Sequence, residues 1–130
     1  MRITTVRDNI QTSFGFEDQT SLFWRLFENA RDNKGEVFCQ FTGEKLNFWA
    51  AQETWFYCLF AHVLSKKNYP YFKLNPDNIR IVLPEFHRII DSGTTEERKM
   101  HPGWKWNEWD ALVIEMKQKY TQFKKDNRLA

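Results

Sequence analysis

The chain has 130 residues, and one domain is the organisation that this length favours. Apolar residues make up 42% and charged residues 28%, which argues against both a disordered tail and a membrane protein. A formal charge of +2 admits a nucleic-acid partner without requiring one.

Aromatic side chains, with 12 Phe and 6 Trp, are abundant enough for a small core to bury much area per residue. The longest apolar run, Trp55 to Leu64, is broken by His62 and falls far short of the roughly 20 residues that a bilayer needs. No basic stretch followed by an apolar one opens the chain, so no signal peptide is expected. Cys39 and Cys58 are too few for a four-cysteine zinc site or a disulfide framework. A reducing, cytoplasmic setting is the expectation, with a single Cys39–Cys58 bridge as the alternative.

In chain order, residues 1–17 mix Thr, Asn and Gln with scattered apolar residues and read as an extended arm. Over 18–35, Leu22, Phe23, Leu26, Phe27 and Ala30 recur at helical spacing, with Thr20 or Ser21 as cap and Asn33-Lys34-Gly35 as stop. Residues 36–49 hold two short extended pieces around Gly43, a hairpin or knuckle. Trp55 to Leu64 suits a buried strand, Ser65 to Pro76 a loop, and Ile79 to Leu83 a second strand stopped by Pro84. Glu85 to Asp91 reads as a short helix with Pro84 in its first turn, broken by Ser92-Gly93-Thr94.

The remainder, within 94–130, reads as mainly one helix from Glu96 onward, interrupted at Pro102-Gly103. Trp106, Trp109, Leu112, Val113, Met116, Tyr120 and Phe123 form its apolar stripe. From Arg98 onward there are 8 Lys or Arg against 4 Asp or Glu. A solvated helix face explains that excess, and so does phosphate contact through Lys117, Lys124 and Lys125.

The chemistry concentrates in Phe60-Ala61-His62-Val63-Leu64-Ser65-Lys66, then Asp77-Asn78-Ile79, then Pro84-Glu85-Phe86-His87-Arg88-Ile89-Ile90-Asp91. A histidine on a strand suits general-base work, since imidazole titrates near neutrality. His87 and Asp91, four apart on a helix, project from one face and make a two-ligand platform for a divalent cation. Lys66, Lys67 and Arg88 are candidate phosphate contacts, and Tyr69, Tyr71 and Phe72 interleave with lysines as a nucleic-acid surface would. Each also has a plain structural reading: a hydrogen-bonded core histidine, an Asn serving a turn, an Asp capping one, a tyrosine-rich loop packed on the core.

In this order and spacing, the stretch resembles the HNH endonuclease family, also called the ββα-metal or His-Me finger fold. His87 follows Asn78 by 9 positions, the interval of the common HNH pattern, and His62 precedes Asn78 by 16. The resemblance covers residues 37–93 and is nearest to small phage and bacterial members. It implies an α+β domain over 1–130, with an HNH-like core at 36–93 between an N-terminal helix and a long C-terminal helix. It further implies a DNA endonuclease in which His62 activates water and Asn78 braces the hairpin loop. His87 and Asp91 would hold one divalent ion, Mg²⁺, Mn²⁺, Ni²⁺ or Zn²⁺.

Two departures stand out. Many members place a metal-binding residue directly before the histidine, where this chain has Ala61. Many also carry a zinc knuckle of two Cys-x-x-Cys pairs, where this chain has Cys39 with Thr42 and Leu83 with Phe86. Packing among Leu46, Leu83 and Phe86 is expected in place of structural zinc. Ala61 keeps open a second reading, a catalytically degenerate module that binds nucleic acid or a partner protein in a larger assembly.

Overall fold

A computed structural model describes residues 6–46, 54–100 and 105–129. Among these the elements are α1 (Val6–Thr12), α2 (Gln19–Ala30), α3 (Thr54–Tyr57), β1 (Phe60–His62), β2 (Ile79–Ile81), α4 (Pro84–Ser92), α5 (Thr95–Lys99) and α6 (Trp106–Asp126). The architecture is therefore mixed, helices around one two-stranded antiparallel sheet, in agreement with the expected α+β class.

The first correction concerns the N-terminal arm, which contains helix α1. Its anchors are tertiary. Gln11 Nε2 donates to the Pro70 carbonyl at 2.7 Å, and the Phe14 ring, just beyond the helix, packs against Phe72 and Phe123. A seven-residue helix is marginal alone, so packing supplies what propensity does not.

Helix α2 is capped by Asp18, not by Thr20 or Ser21: the Asp18 carboxylate accepts the Ser21 N–H at 2.8 Å, satisfying an otherwise orphaned donor. Its apolar face buries Leu22, Phe23 and Phe27. Phe23 stacks on Phe60 with ring centroids 4.3 Å apart, which seats α2 over β1.

The knuckle forms as expected over its described part. Phe38 bridges to Lys45, the Cys39 N–H donates to the Glu44 carbonyl at 2.8 Å, and Gly43 supplies the positive φ of 75° that closes the turn. The expected tail of this unit, residues 47–49, lies outside the described residues. Gln40 then fastens the knuckle to the sheet. Its backbone N–H donates to the Ile81 carbonyl at 2.9 Å, and its side-chain oxygen accepts the Ile81 N–H at 2.7 Å. The outer edge of β2 is thereby closed. Of the positions compared with zinc ligands, Cys39 and Phe86 are buried, Leu83 packs partly buried against the core, and Thr42 is half-buried. Leu46 is buried nearby, and Phe41 meets Trp109 of α6 edge-on at 5.1 Å.

The expected strand over Trp55 to Leu64 is shorter. Thr54–Tyr57 is a helical turn, and only Phe60–His62 is strand. The reason is the partner. The register pairs Phe60 with Ile81, Ala61 with Arg80 and His62 with Ile79. One further bond on each side, Val82 N–H to Leu59 and Val63 N–H to Asn78, ends the ladder. Pro84 opens α4 soon after, so β2 offers no strand pairing to residues 54–57, which satisfy their backbone by coiling. The second strand is likewise Ile79–Ile81 rather than extending to Leu83.

Helix α4 has Pro84 in its first turn and stops at Gly93, where a side chain would collide with the Ile89 carbonyl. The C-terminal region is mainly one long helix, α6, with the short α5 on the other side of the expected interruption. Thr94 opens α5 with a reciprocal capping box to Glu97, and α6 follows after a stretch containing Pro102 and Gly103, outside the described residues. The predicted stripe on α6 is the face that packs: Trp109, Met116 and Tyr120 are buried, with Trp106, Leu112, Val113 and Phe123 against the core.

Replacing Phe41 with Ala removes the plug between knuckle and α6 and should cost about 3–5 kcal/mol. Chemical denaturation measures this, and because Leu83 and Phe86 stand at two of the positions compared with zinc ligands, EDTA should leave the wild-type transition in place.

Candidate functional site

One cleft of about 510 Å³ opens beside the sheet, lined among others by Phe23, His62, Lys66, Lys67, His87 and Asp91. Of the residues singled out from the sequence, these five polar ones are brought together. Asn78 and Arg88 are not among its lining residues.

Asn78 sits at the end of a 3₁₀ turn (Pro76–Asn78), immediately before β2, with no exposed surface. Its carboxamide oxygen accepts the Leu64 N–H at 2.8 Å, while its nitrogen donates to the carbonyls of Leu64 at 3.1 Å and Phe72 at 3.3 Å. One side chain therefore pins the connection between the strands at both its start and its middle. Every part of the amide is engaged with backbone, so Asn78 is a positioning residue with nothing left to offer an ion or a substrate.

His62 ends β1. Its Nε2 lies 3.1 Å from the Lys73 carbonyl oxygen, on the loop that Asn78 holds. A carbonyl can only accept, so Nε2 carries the proton and Nδ1 keeps the lone pair. Burial pushes the pKa down to about 4; the bond to Lys73 opposes that shift, and the nearby Lys66 charge adds to it. His62 is thus a neutral imidazole of one tautomer near neutral pH.

His87 differs although it too is tied to a carbonyl. Its Nδ1 lies 2.9 Å from the Cys58 oxygen, and its Nε2 lies 2.9 Å from Asp91 Oδ2. The Asp91 hydrogen bond raises the His87 pKa and outweighs burial, while the same bond lowers that of Asp91. A proton bridges the two side chains. That donor pair also fits a divalent cation: an imidazole nitrogen and a carboxylate oxygen one helical turn apart already converge, and the second ring nitrogen is oriented by a backbone carbonyl, as metal-binding histidines require. Among the described residues no group of three or more His, Cys, Asp or Glu gathers as a metal cluster, so this chain offers a two-ligand platform.

Ala61 has no exposed surface. Phe60 and His62 line the cleft, and strand alternation turns Ala61 to the other face. Arg88 lies outside the cleft and pairs with Glu97 at 2.8 Å on the exposed surface. Tyr69 and Tyr71 pack against Tyr120, and Phe72 is buried, so the plain reading of that loop holds for its rings. Sequence reading did not pick out Tyr57, whose ring borders the cleft and whose hydroxyl lies 2.9 Å from Thr20 Oγ1. Nor did it pick out Gln19, which accepts from Lys66 Nζ at 3.3 Å. Both depend on α2 lying over β1, a long-range contact with no local signal.

No protein-family model, curated protein or solved structure matches this chain.

Asn78→Ala should destabilise the fold by roughly 3 kcal/mol, because buried backbone groups of Leu64 and Phe72 lose their partner. Amide hydrogen exchange at Leu64 should quicken first, and unchanged protection there would sink this account of Asn78.

The histidines should titrate far apart. His62 is depressed, so stability falls by about 3 kcal/mol as pH drops from 6.5 towards 4, where only the unfolded chain takes up the proton. His87 is raised, so its contribution is full below 6.5 and disappears as pH rises through its folded value. Asp91 contributes above 3.8 and loses that as pH falls through its folded value. NMR titration of the ring protons should find His62 near pH 4 and His87 above 6.5.

Proposed function

We propose that the chain is a metal-dependent HNH-type endonuclease that hydrolyses phosphodiester bonds of DNA. The observation that carries this reading is the cleft in which His62, of one tautomer, shares its walls with the His87–Asp91 pair and with Lys66 and Lys67. The order of β1, loop, β2 and α4 around that cleft is the order in which HNH proteins arrange their hairpin and helix.

His62 Nδ1 is the general base. It takes a proton from water as the water oxygen bonds to phosphorus and the ester P–O bond breaks, with the leaving oxygen protonated from solvent. The low pKa keeps this base unprotonated near neutrality. A bound phosphate strengthens it, since negative charge beside the ring favours the imidazolium that forms. Lys66 and Lys67, both exposed at the cleft, meet the non-bridging oxygens. Asn78 acts through the loop: it holds the Phe72 carbonyl, one residue before the Lys73 carbonyl that sets the His62 tautomer. His87 and Asp91 would hold the divalent ion, which supplies positive charge against the phosphate and the departing oxygen when bound. A cytoplasmic location accords with two free cysteines, and no described helix is long and apolar enough to cross a membrane.

A second reading is favoured by the two-ligand platform and by buried Ala61: a module of the same architecture that binds DNA or a protein partner without cutting. Plasmid nicking in Mg²⁺, Mn²⁺ and Ni²⁺ against EDTA separates the two. Nicking in metal alone is expected, and its absence with every ion removes the nuclease. His62→Ala should then lower cleavage by roughly 10²–10⁴-fold with metal affinity retained, whereas His87→Ala should be partly rescued by excess metal.

A further inference from the structure

A second hollow, of about 530 Å³, lies between the loop after β1 and the last turns of α6. Asn68 and Tyr69 form one wall, and Tyr120, Thr121, Lys124 and Lys125 the other. No Asp or Glu is among its lining residues. Neither Lys124 nor Lys125 has a carboxylate partner among the described residues, whereas Lys119 of the same helix is paired with Glu115. The Tyr120 ring, buried and fixed edge-on against Tyr69 and Phe72, gives the hollow a rigid floor, and Lys124 Nζ sits 6.0 Å above that ring.

The two hollows are lined by adjacent stretches of one segment. Ser65, Lys66 and Lys67 line the first cleft, and the next two residues, Asn68 and Tyr69, line the second. This segment is one closed turn, with the Tyr69 N–H donating to the Ser65 carbonyl at 2.9 Å and the Asn68 N–H to Ser65 Oγ at 3.3 Å. Consecutive Cα atoms lie about 3.8 Å apart, so the turn is at most about 15 Å across. A nucleic-acid strand advances about 3.4 Å per phosphate along its axis. A strand with one phosphate in the first cleft therefore reaches the second within a few nucleotides.

We propose that this hollow is a second phosphate subsite, through which Lys124 and Lys125 hold the DNA strand running on from the His62 cleft. The inference rests on the nuclease reading for its choice of DNA and adds a track across the turn of residues 65–69. Cations in the last turn of a helix also answer its carbonyl dipole. That role calls for no cleft and no facing wall free of carboxylates, and both are present here. Lys117, about two helical turns earlier, does not line the hollow and serves as the control.

The test is fluorescence anisotropy of a labelled DNA duplex over a salt series in EDTA, beside plasmid nicking in metal. Lys124→Gln/Lys125→Gln should lower the slope of log affinity against log salt by about 1.8, two phosphate contacts at about 0.9 each, while Lys117→Gln leaves it unchanged. A double variant with the wild-type slope overturns the subsite, as does an equal loss in Lys117→Gln. Circular dichroism melting of each variant establishes that the helix is intact. If wild-type protein nicks and the slopes do not differ, the subsite alone falls. If it never nicks and the slope drops as stated, the subsite stands on a non-cleaving DNA-binding protein.

Discussion

The carboxamide of Asn78 is buried, and it joins backbone groups that lie 14 and 6 residues earlier in the chain. The strands it separates are only three residues each, too short to hold a long connection by pairing alone. Within the loop from Val63 to Asp77 this side chain supplies the buried bonds, to Leu64 and Phe72, while Arg80 of β2 holds the Asp77 carbonyl at the loop's end. The Lys73 carbonyl, the turn bearing Lys66 and Lys67, and the wall made by Tyr69 all belong to that loop. The amide is inaccessible, yet it sets the position of groups on both sides of it.

The two histidines show how one kind of anchor yields opposite charges. Each ring has a nitrogen against a backbone carbonyl, Lys73 for His62 and Cys58 for His87. Such a bond favours the protonated ring modestly. For His62 burial is the larger effect and leaves the ring neutral. For His87 the carboxylate of Asp91 reverses the outcome. Environments of this kind push the pKa values of two like groups apart within one cleft.

At Ala61 and at the knuckle, apolar packing fills the interior. At position 61 the side chain is sealed inside the core, where a lone carboxylate would face a large desolvation cost. At the knuckle, Phe41 against Trp109 and Gln40 against Ile81 give the turn an apolar plug and two hydrogen bonds to the sheet edge. The wealth of aromatic residues makes this feasible, because each ring supplies large contact area at a small entropic loss.

The local chemistry was open to inspection in the sequence itself. The periodicity of α2, the proline opening α4, the glycine of the knuckle and the stripe of α6 are all properties of a few neighbouring residues, and the structure has them. The convergence of His62, Lys66, Lys67, His87 and Asp91 could be anticipated because strand, loop and helix follow one another closely. What tertiary structure alone decided were the matters settled by a distant partner. The arm at 6–12 is helical because Pro70, Phe72 and Phe123 give it a surface. Residues 54–57 coil because β2 is too short to pair with them. Asn78 and Arg88 carry side chains as suited to a cleft as those of His62 and Lys66, but one is engaged by buried backbone and the other lies outside the cleft beside Glu97. Propensity is a sum over near neighbours, whereas burial, pairing and hydrogen-bond satisfaction depend on what the fold brings alongside.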